Sequence, residues 1–233
     1  AREGRLQEDA AKTMSEQMLK ALAYIHSMGC VHRDIKPENF LLESEDPYCM
    51  TLKLADFGIA TAVGKAVGAG QASQDGAAQV HGSVPYMPPE AFAGLRGQRP
   101  TSRVQTAWDV WSSGVVNYVM LSGDLPYGEY IDAICSGQPP DFSGEAWQEV
   151  SAEAINLICG LLNPNAEARW SARQALGHAW FRGCISSALP PRAVDSVQPP
   201  RLAESAWGSA ASSPELAHRL LRDLQRWRRL PKL

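Results

Sequence analysis

The 233 residues carry 22 Lys+Arg against 25 Asp+Glu, a net charge of −3, with 45% hydrophobic and 8% aromatic residues, enough for one domain with or without an appendage. That balance lacks the basic field of a general nucleic-acid binder, no apolar run approaches the roughly 20 residues of a membrane span, and AREGRLQEDAAK at the N-terminus has no signal-like apolar stretch. The expectation is a cytoplasmic protein with neither nucleic acid nor membrane as partner. Cys30, Cys49, Cys135, Cys159 and Cys184 show no CxxC pair and no His at zinc-finger spacing, so they read as reduced thiols.

In chain order, Ala11, Met14, Met18, Leu22 and Ile25 lie three or four residues apart and predict a helix over 10–28, ended near Gly29. Phe40-Leu41-Leu42 and Leu52-Lys53-Leu54 predict two short strands joined by the turn-prone Glu43–Pro47. Residues 62–82, with Gly64, Gly68, Gly70 and Gly76 among Ala, Gln and Ser, read as a mobile loop. Trp108 to Leu121 predicts a helix buried nearly all round, and Ser151 to Leu162 a shorter amphipathic one capped by Ser151. Residues 183–213 hold Pro190, Pro191, Pro199 and Pro200 amid Ser and Ala and predict a linker. From Pro214 to Leu233 six Lys/Arg outnumber two acids, with Leu216, Leu220, Leu224 and Trp227 at helical spacing, so this tail predicts a basic amphipathic helix.

The chemistry-bearing residues run His32-Arg33-Asp34-Ile35-Lys36-Pro37-Glu38-Asn39, then Asp56-Phe57-Gly58 17 positions after Asn39, then Pro88-Pro89-Glu90 preceded by Gly82-Ser83. Singly, an Asp-Lys pair is most often a solvated pair and a DFG a turn; their ordered combination is what carries information. The combination resembles the eukaryotic protein kinases through the catalytic loop HRDxKxxN, the DFG triplet and a variant of APE.

The resemblance implies roles. Asp34 orients the substrate hydroxyl and accepts its proton, and Lys36 steadies the charge on the phosphoryl group being transferred. Asn39 and Asp56 hold Mg2+ and thereby the phosphates of ATP, Phe57 packs as an activity-setting aromatic, and Gly58 permits the turn that aims Asp56. His32 and Arg33 take scaffold roles, with Arg33 able to pair with a phosphate on the activation segment; Thr61, Ser73 and Ser83 are candidate acceptors and Asp75 a fixed negative charge. Trp108-Asp109-Val110-Trp111-Ser112-Ser113-Gly114-Val115 resembles the family's DVWSxGV helix, which makes Asp109 the buried anchor of the catalytic loop. Arg169 matches the arginine that pairs with the APE glutamate, here Glu90. His178-Ala179-Trp180-Phe181 resembles the HPWF signature, so the resemblance spans roughly residues 5–182.

Lys36 together with Ser83, assigned to substrate contact, looks like a Ser/Thr kinase. KPENFLL, DFSGEAWQEVSAEAINLICGLL and RWSARQALGHAWF are most similar to the calcium/calmodulin-dependent and calcium-dependent groups. Glu38 matches a residue that reads an Arg on the substrate in basophilic kinases, so the expected substrates are proteins with Ser or Thr near basic residues. The tail SPELAHRLLRDLQRWRRL looks like an autoinhibitory junction helix and also suits a calmodulin groove or another EF-hand partner. Three positions depart from the family: Pro88 for Ala in APE, Pro85 where related kinases have Gly, and Ala179 for the Pro of HPWF.

No glycine-rich phosphate loop, VAIK-type lysine or partner glutamate precedes His32, and Gly68-Ala69-Gly70 falls after the DFG triplet. The expectation is therefore a mainly helical α+β fold, the C-terminal lobe of a protein kinase over 1–182, followed by the 183–213 linker and the 214–233 helix. Such a lobe alone is expected to transfer phosphate weakly or not at all and to self-associate through an uncovered apolar face; a non-catalytic docking or calmodulin-binding module is the alternative.

Overall fold

A computed structural model describes residues 5–42, 51–63, 83–93 and 102–182. The predicted loop beyond Val63, the linker and the basic tail lie outside the described residues. Helix α1 (Glu8–Ser27) buries Ala11, Met18, Leu19, Leu22 and Ile25 along one face, and the chain leaves it through Gly29 at φ +72°, a left-handed conformation that glycine adopts without a Cβ penalty. Strand β1 (Cys30–Val31) follows, then the catalytic-loop residues. The hairpin expected from the alternating leucines is present: β2 (Phe40–Leu42) pairs antiparallel with β3 (Leu52–Leu54), with Phe40 opposite Leu54. A second short ladder, unannounced by the pattern, pairs β1 with β4 (Thr61–Ala62). Two-residue strands carry too little periodicity to be seen in a sequence.

After the short helix α2 (Pro89–Ala93), helix α3 (Ser102–Ser122) runs through the centre of the lobe. Val110, Trp111, Val115, Val116 and Leu121 are buried on it together with the polar Asp109, Ser113 and Asn117, as expected for a helix enclosed nearly all round. Helices α4 (Ile131–Cys135), α5 (Ala152–Leu161) and α6 (Ala172–Leu176) complete the described body. Ser151 caps α5 by accepting from the Ala154 N–H, and Ser171 with Gln174 forms a reciprocal capping box on α6.

One apolar core joins α1, α3, α5 and α6 through Leu19, Leu22, Val115, Leu157, Leu161 and Ala175, the Leu and Val side chains each worth about 1.5–3 kcal/mol of burial. Glu8 closes the base of this body. Its carboxylate accepts from the Trp180 indole N–H at 2.7 Å and from the Ser151 N–H at 2.8 Å, tying the start of α1 to the α5 cap and to the His178–Phe181 turn. Burial pushes that carboxyl up, but the Ser151 and Trp180 hydrogen bonds and the nearby Lys12 outweigh it and hold it below its ordinary value. Large apolar side chains left exposed among the described residues are Leu6, Tyr24, Leu41, Tyr130 and Ile131. No described helix is long and apolar enough to cross a membrane.

Candidate active site

The site stands on the polar stretch between β1 and β2, and a buried carboxylate on α3 holds it there. Asp109, fully enclosed, accepts the His32 N–H at 2.9 Å and the Arg33 N–H at 2.7 Å, and pairs with His26 Nε2 at 2.8 Å. Burial pushes the Asp109 carboxyl up, and the hydrogen bond and charge of His26, the charge of His32 and the Arg33 N–H outweigh that, holding it below its ordinary value. The anchor role expected of Asp109 is in place, with His26 as a partner that sequence reasoning did not single out. His32 is buried, its Nε2 lies 2.9 Å from the Ala55 carbonyl, and its ring meets Phe57 edge-on at 4.7 Å. One histidine thereby joins the catalytic loop to the DFG triplet.

Arg33 carries φ +72°, a strained conformation for a residue with a Cβ, sustained because its own N–H and that of His32 both end on Asp109. The turn puts Asp34 among three partners. Lys36 Nζ lies 2.9 Å from Asp34 Oδ2, the Asn39 amide donates to the same oxygen at 3.1 Å and to the Asp34 carbonyl at 2.6 Å, and Ser83 Oγ lies 3.3 Å from Oδ1. Lys36 also donates to Ser83 at 2.9 Å. Burial raises the Asp34 carboxyl, but hydrogen bonds from Lys36 and Asn39, the Lys36 charge and the Ser83 contact bring it below its ordinary value, so it is ionised at neutral pH.

The β2/β3 hairpin sets Asn39 beside the DFG triplet: Asn39 precedes β2, Asp56 follows β3, and the Ala55 N–H donates to the Asn39 carbonyl at 2.8 Å. The local geometry corrects one expectation. The left-handed residue of the triplet is Asp56 itself, at φ +57°, while Gly58 donates its N–H to Asp56 Oδ1 at 3.2 Å. Asp tolerates that region because its short side chain can bond its own backbone two residues on, so Gly58 aims Asp56 through a hydrogen bond and not through a positive φ.

With the Asn39 amide nitrogen committed to Asp34, its oxygen remains for a cation, and with the Asp56 carboxylate it makes a hard-oxygen pair. Such a pair fits Mg2+, which is commonly held by one or two carboxylates and completes its octahedron with phosphate oxygens and water.

Glu38 is exposed, close enough that its charge, after burial, helps push the Tyr86 hydroxyl above its ordinary value. Ser83 and Glu38 thus flank the segment containing both unusual prolines. That segment is pinned from below: Ser112 Oγ donates to the Tyr86 carbonyl at 2.7 Å, and Met87 and Ala91 pack on Trp108. Glu90 and Arg169 form the expected buried pair, bidentate at 2.6 and 3.0 Å, with the guanidinium also donating to the Ala107 and Asn163 carbonyls and lying over Trp111 at 4.9 Å. Thr61 lies in β4, and Ser73 and Asp75 lie outside the described residues. Trp108, quoted within the α3 motif and given no role there, is the other side chain that sequence reasoning passed over; its neighbour Asp109 was the only signal.

Comparison with known proteins bears on the family and the fold. The protein kinase domain family matches residues 1–181. The chain is 33% identical to calcium-dependent protein kinase 19 of Arabidopsis thaliana, covering 77% of this chain and 30% of that protein. To calcium/calmodulin-dependent serine/threonine-protein kinase 1 of Oryza sativa subsp. japonica it is 33% identical, covering 82% and 30%. Among solved structures, the Rad53 kinase domain and SCD2 in complex with AMPPNP superimposes with a TM-score of 0.59 at 30% identity, covering 77% of this chain and 61% of that one. The chain therefore spans about a third of the length of these two plant relatives. A fold held by Asp109 beneath the loop, a DFG triplet seated on His32 and a Glu90–Arg169 pair, matched by a family over residues 1–181, places this chain in the protein kinase domain family.

Proposed function

We propose that this chain serves a Ser/Thr protein kinase that moves the γ-phosphate of ATP to Ser or Thr hydroxyls of protein substrates. The observation that carries the reading is the Asp34 cluster, in which Lys36 and Asn39 occupy Oδ2 and leave Oδ1 the less committed oxygen. The substrate hydroxyl would meet Oδ1, where Ser83 now makes its long contact. A carboxyl held below its ordinary value is a weak base at neutral pH, so Asp34 chiefly orients the hydroxyl and takes its proton late, while Lys36 balances negative charge at the acceptor. Asn39 and Asp56 would hold Mg2+, whose contribution is to neutralise the phosphates of ATP. The AMPPNP bound in the complex of the similar Rad53 kinase domain supports a nucleotide at this site.

Glu38 supports a preference for basic peptides, and the names of the two plant relatives support regulation by calcium, with residues 214–233 as the segment that calmodulin or an EF-hand partner would take. The test is phosphate transfer from Mg-ATP to an Arg-containing Ser peptide by the 233-residue chain, with Asp34→Ala as control. Transfer abolished in the control supports catalysis; no transfer, with calmodulin still binding the tail, supports the docking-module alternative. Glu38→Ala should weaken the preference for basic peptides, and unchanged selectivity removes that assignment.

A further inference from the structure

Helix α3 reaches the site through two neighbouring side chains. Asp109 holds the residues before Asp34, and Ser112, three positions on and less than one helical turn away, holds the segment after Ser83. Ser112 is 6% exposed, and its hydroxyl has one proton for two acceptors. One is the Trp108 carbonyl one turn back at 3.1 Å, the ordinary choice of a serine inside a helix; the other is the Tyr86 carbonyl at 2.7 Å. The shorter contact crosses to another element. It ends on Val84–Tyr86, a single 3-10 turn in which the Tyr86 N–H donates to the Ser83 carbonyl at 2.9 Å and the Met87 N–H to the Val84 carbonyl at 3.1 Å. Pro85 and Pro88 have no N–H to give, the Tyr86 and Met87 N–H groups are spent inside the turn, and Val84 and Met87 rest on Trp108 by apolar contact, which carries no direction. The Ser112 hydroxyl supplies the direction that this packing lacks.

The turn begins one residue beyond Ser83, whose Oγ lies 3.3 Å from Asp34 Oδ1, where the substrate hydroxyl would sit. Consecutive residues of a peptide are about 3.8 Å apart, so a residue flanking the phosphorylated one falls against the turn. The interval between Asp109 and Ser112 is fixed by the helix, and it sets how far the turn stands from Asp34. Resting on the proposed kinase reading, we infer that Ser112 is a positioning residue for the substrate: by holding the Tyr86 carbonyl from beneath, it keeps the Val84–Tyr86 turn in register with Asp34, so that the peptide and its hydroxyl are received together. Ser112 acts only through the turn.

The experiment compares the full 233-residue chain with its Ser112→Ala and Ser112→Thr variants. Binding of an Arg-containing Ser peptide is measured by calorimetry without nucleotide, well below the melting temperature, and phosphorylation of the same peptide is followed with Mg-ATP. A peptide gains from a pre-set turn no more than the free energy of the bond that sets it, so Ser112→Ala should weaken binding about 2- to 10-fold and raise KM by the same factor with kcat little moved. Amide exchange at Tyr86 and Met87 should quicken while that of Leu157 in α5 holds, and Ser112→Thr, which keeps the hydroxyl, should restore both. A serine that only stabilised the fold would lower the melting temperature and leave the affinity of the folded chain alone; that result overturns the inference, as does a folded Ser112→Thr that behaves like Ser112→Ala. Affinity lost in Ser112→Ala without phosphate transfer by any form keeps the positioning role and removes the kinase reading, whereas transfer with KM unmoved by Ser112→Ala does the reverse. A peptide that neither binds the wild-type chain nor is phosphorylated by it overturns both.

Discussion

In the helical body, Leu19, Leu22, Val115, Leu157 and Leu161 lose all contact with solvent, and order follows from apolar area removed from water. The ledge that carries Asp34 is built differently. Its strands are two or three residues long, two of its residues sit at positive φ, and its geometry is fixed by hydrogen bonds that converge on Asp109 and Asp34. Apolar packing is non-directional and tolerates small errors, whereas a hydrogen bond fails within a few tenths of an ångström. The candidate site sits on the polar ledge, where atoms are placed by direction as well as by volume.

The contrast is most vulnerable where the two regions meet. Asp109→Ala removes a buried acceptor from two N–H groups and from His26, and should cost about 3–5 kcal/mol in urea unfolding; a loss below about 1 kcal/mol would mean the ledge orders itself without α3. Asp34→Asn separates chemistry from folding. It should lower turnover of a Ser peptide by about 10²–10⁴-fold with little change in melting temperature, and an equal loss of stability would show that the cluster is scaffold. A probe confined to the helical body is Gly160→Ala, where an added Cβ would collide with the Trp170 ring. Overpacking of about 1–3 kcal/mol should exceed the roughly 1 kcal/mol that Ala gains in helix propensity, leaving a net loss readable by thermal melting.

Acid distinguishes the two regions more gently. The folded values of Asp109 and Asp34 lie below their ordinary ones, so each contributes stability that is present above the unfolded carboxylate value and is lost as pH falls through the folded one. Unfolding free energy should hold steady from neutral pH down to about 5 and decline only below the ordinary carboxylate range. Amide exchange at His32 and Arg33 should rise before that of the α5 core, and a simultaneous rise would merge the two regions into one cooperative unit.

Much of the body was legible because its signals are local. The spacing of Met18, Leu22 and Ile25 on α1, the Ser151 cap and the paired leucines of β2 and β3 are statements about periodicity and hydrogen-bond need that a linear reading can make. The site was legible for another reason: Asp34, Lys36, Asn39 and Asp56 are few, ordered and chemically specific, and matching them does not require knowing the fold. The β1/β4 ladder, His26 on Asp109 and Trp108 over Arg33 were not, since each joins residues about 30 to 80 positions apart with no pattern of its own.

The order of residues along the chain was enough to say that α1, α3 and α5 are helices, which residues form the candidate site, and that Glu90 would want Arg169. It took the folded molecule to show that Asp56 and not Gly58 takes the left-handed turn, and that Ser83 meets both Asp34 and Lys36. Propensity and periodicity act over a few residues, whereas desolvation and hydrogen-bond satisfaction depend on what the rest of the chain brings alongside.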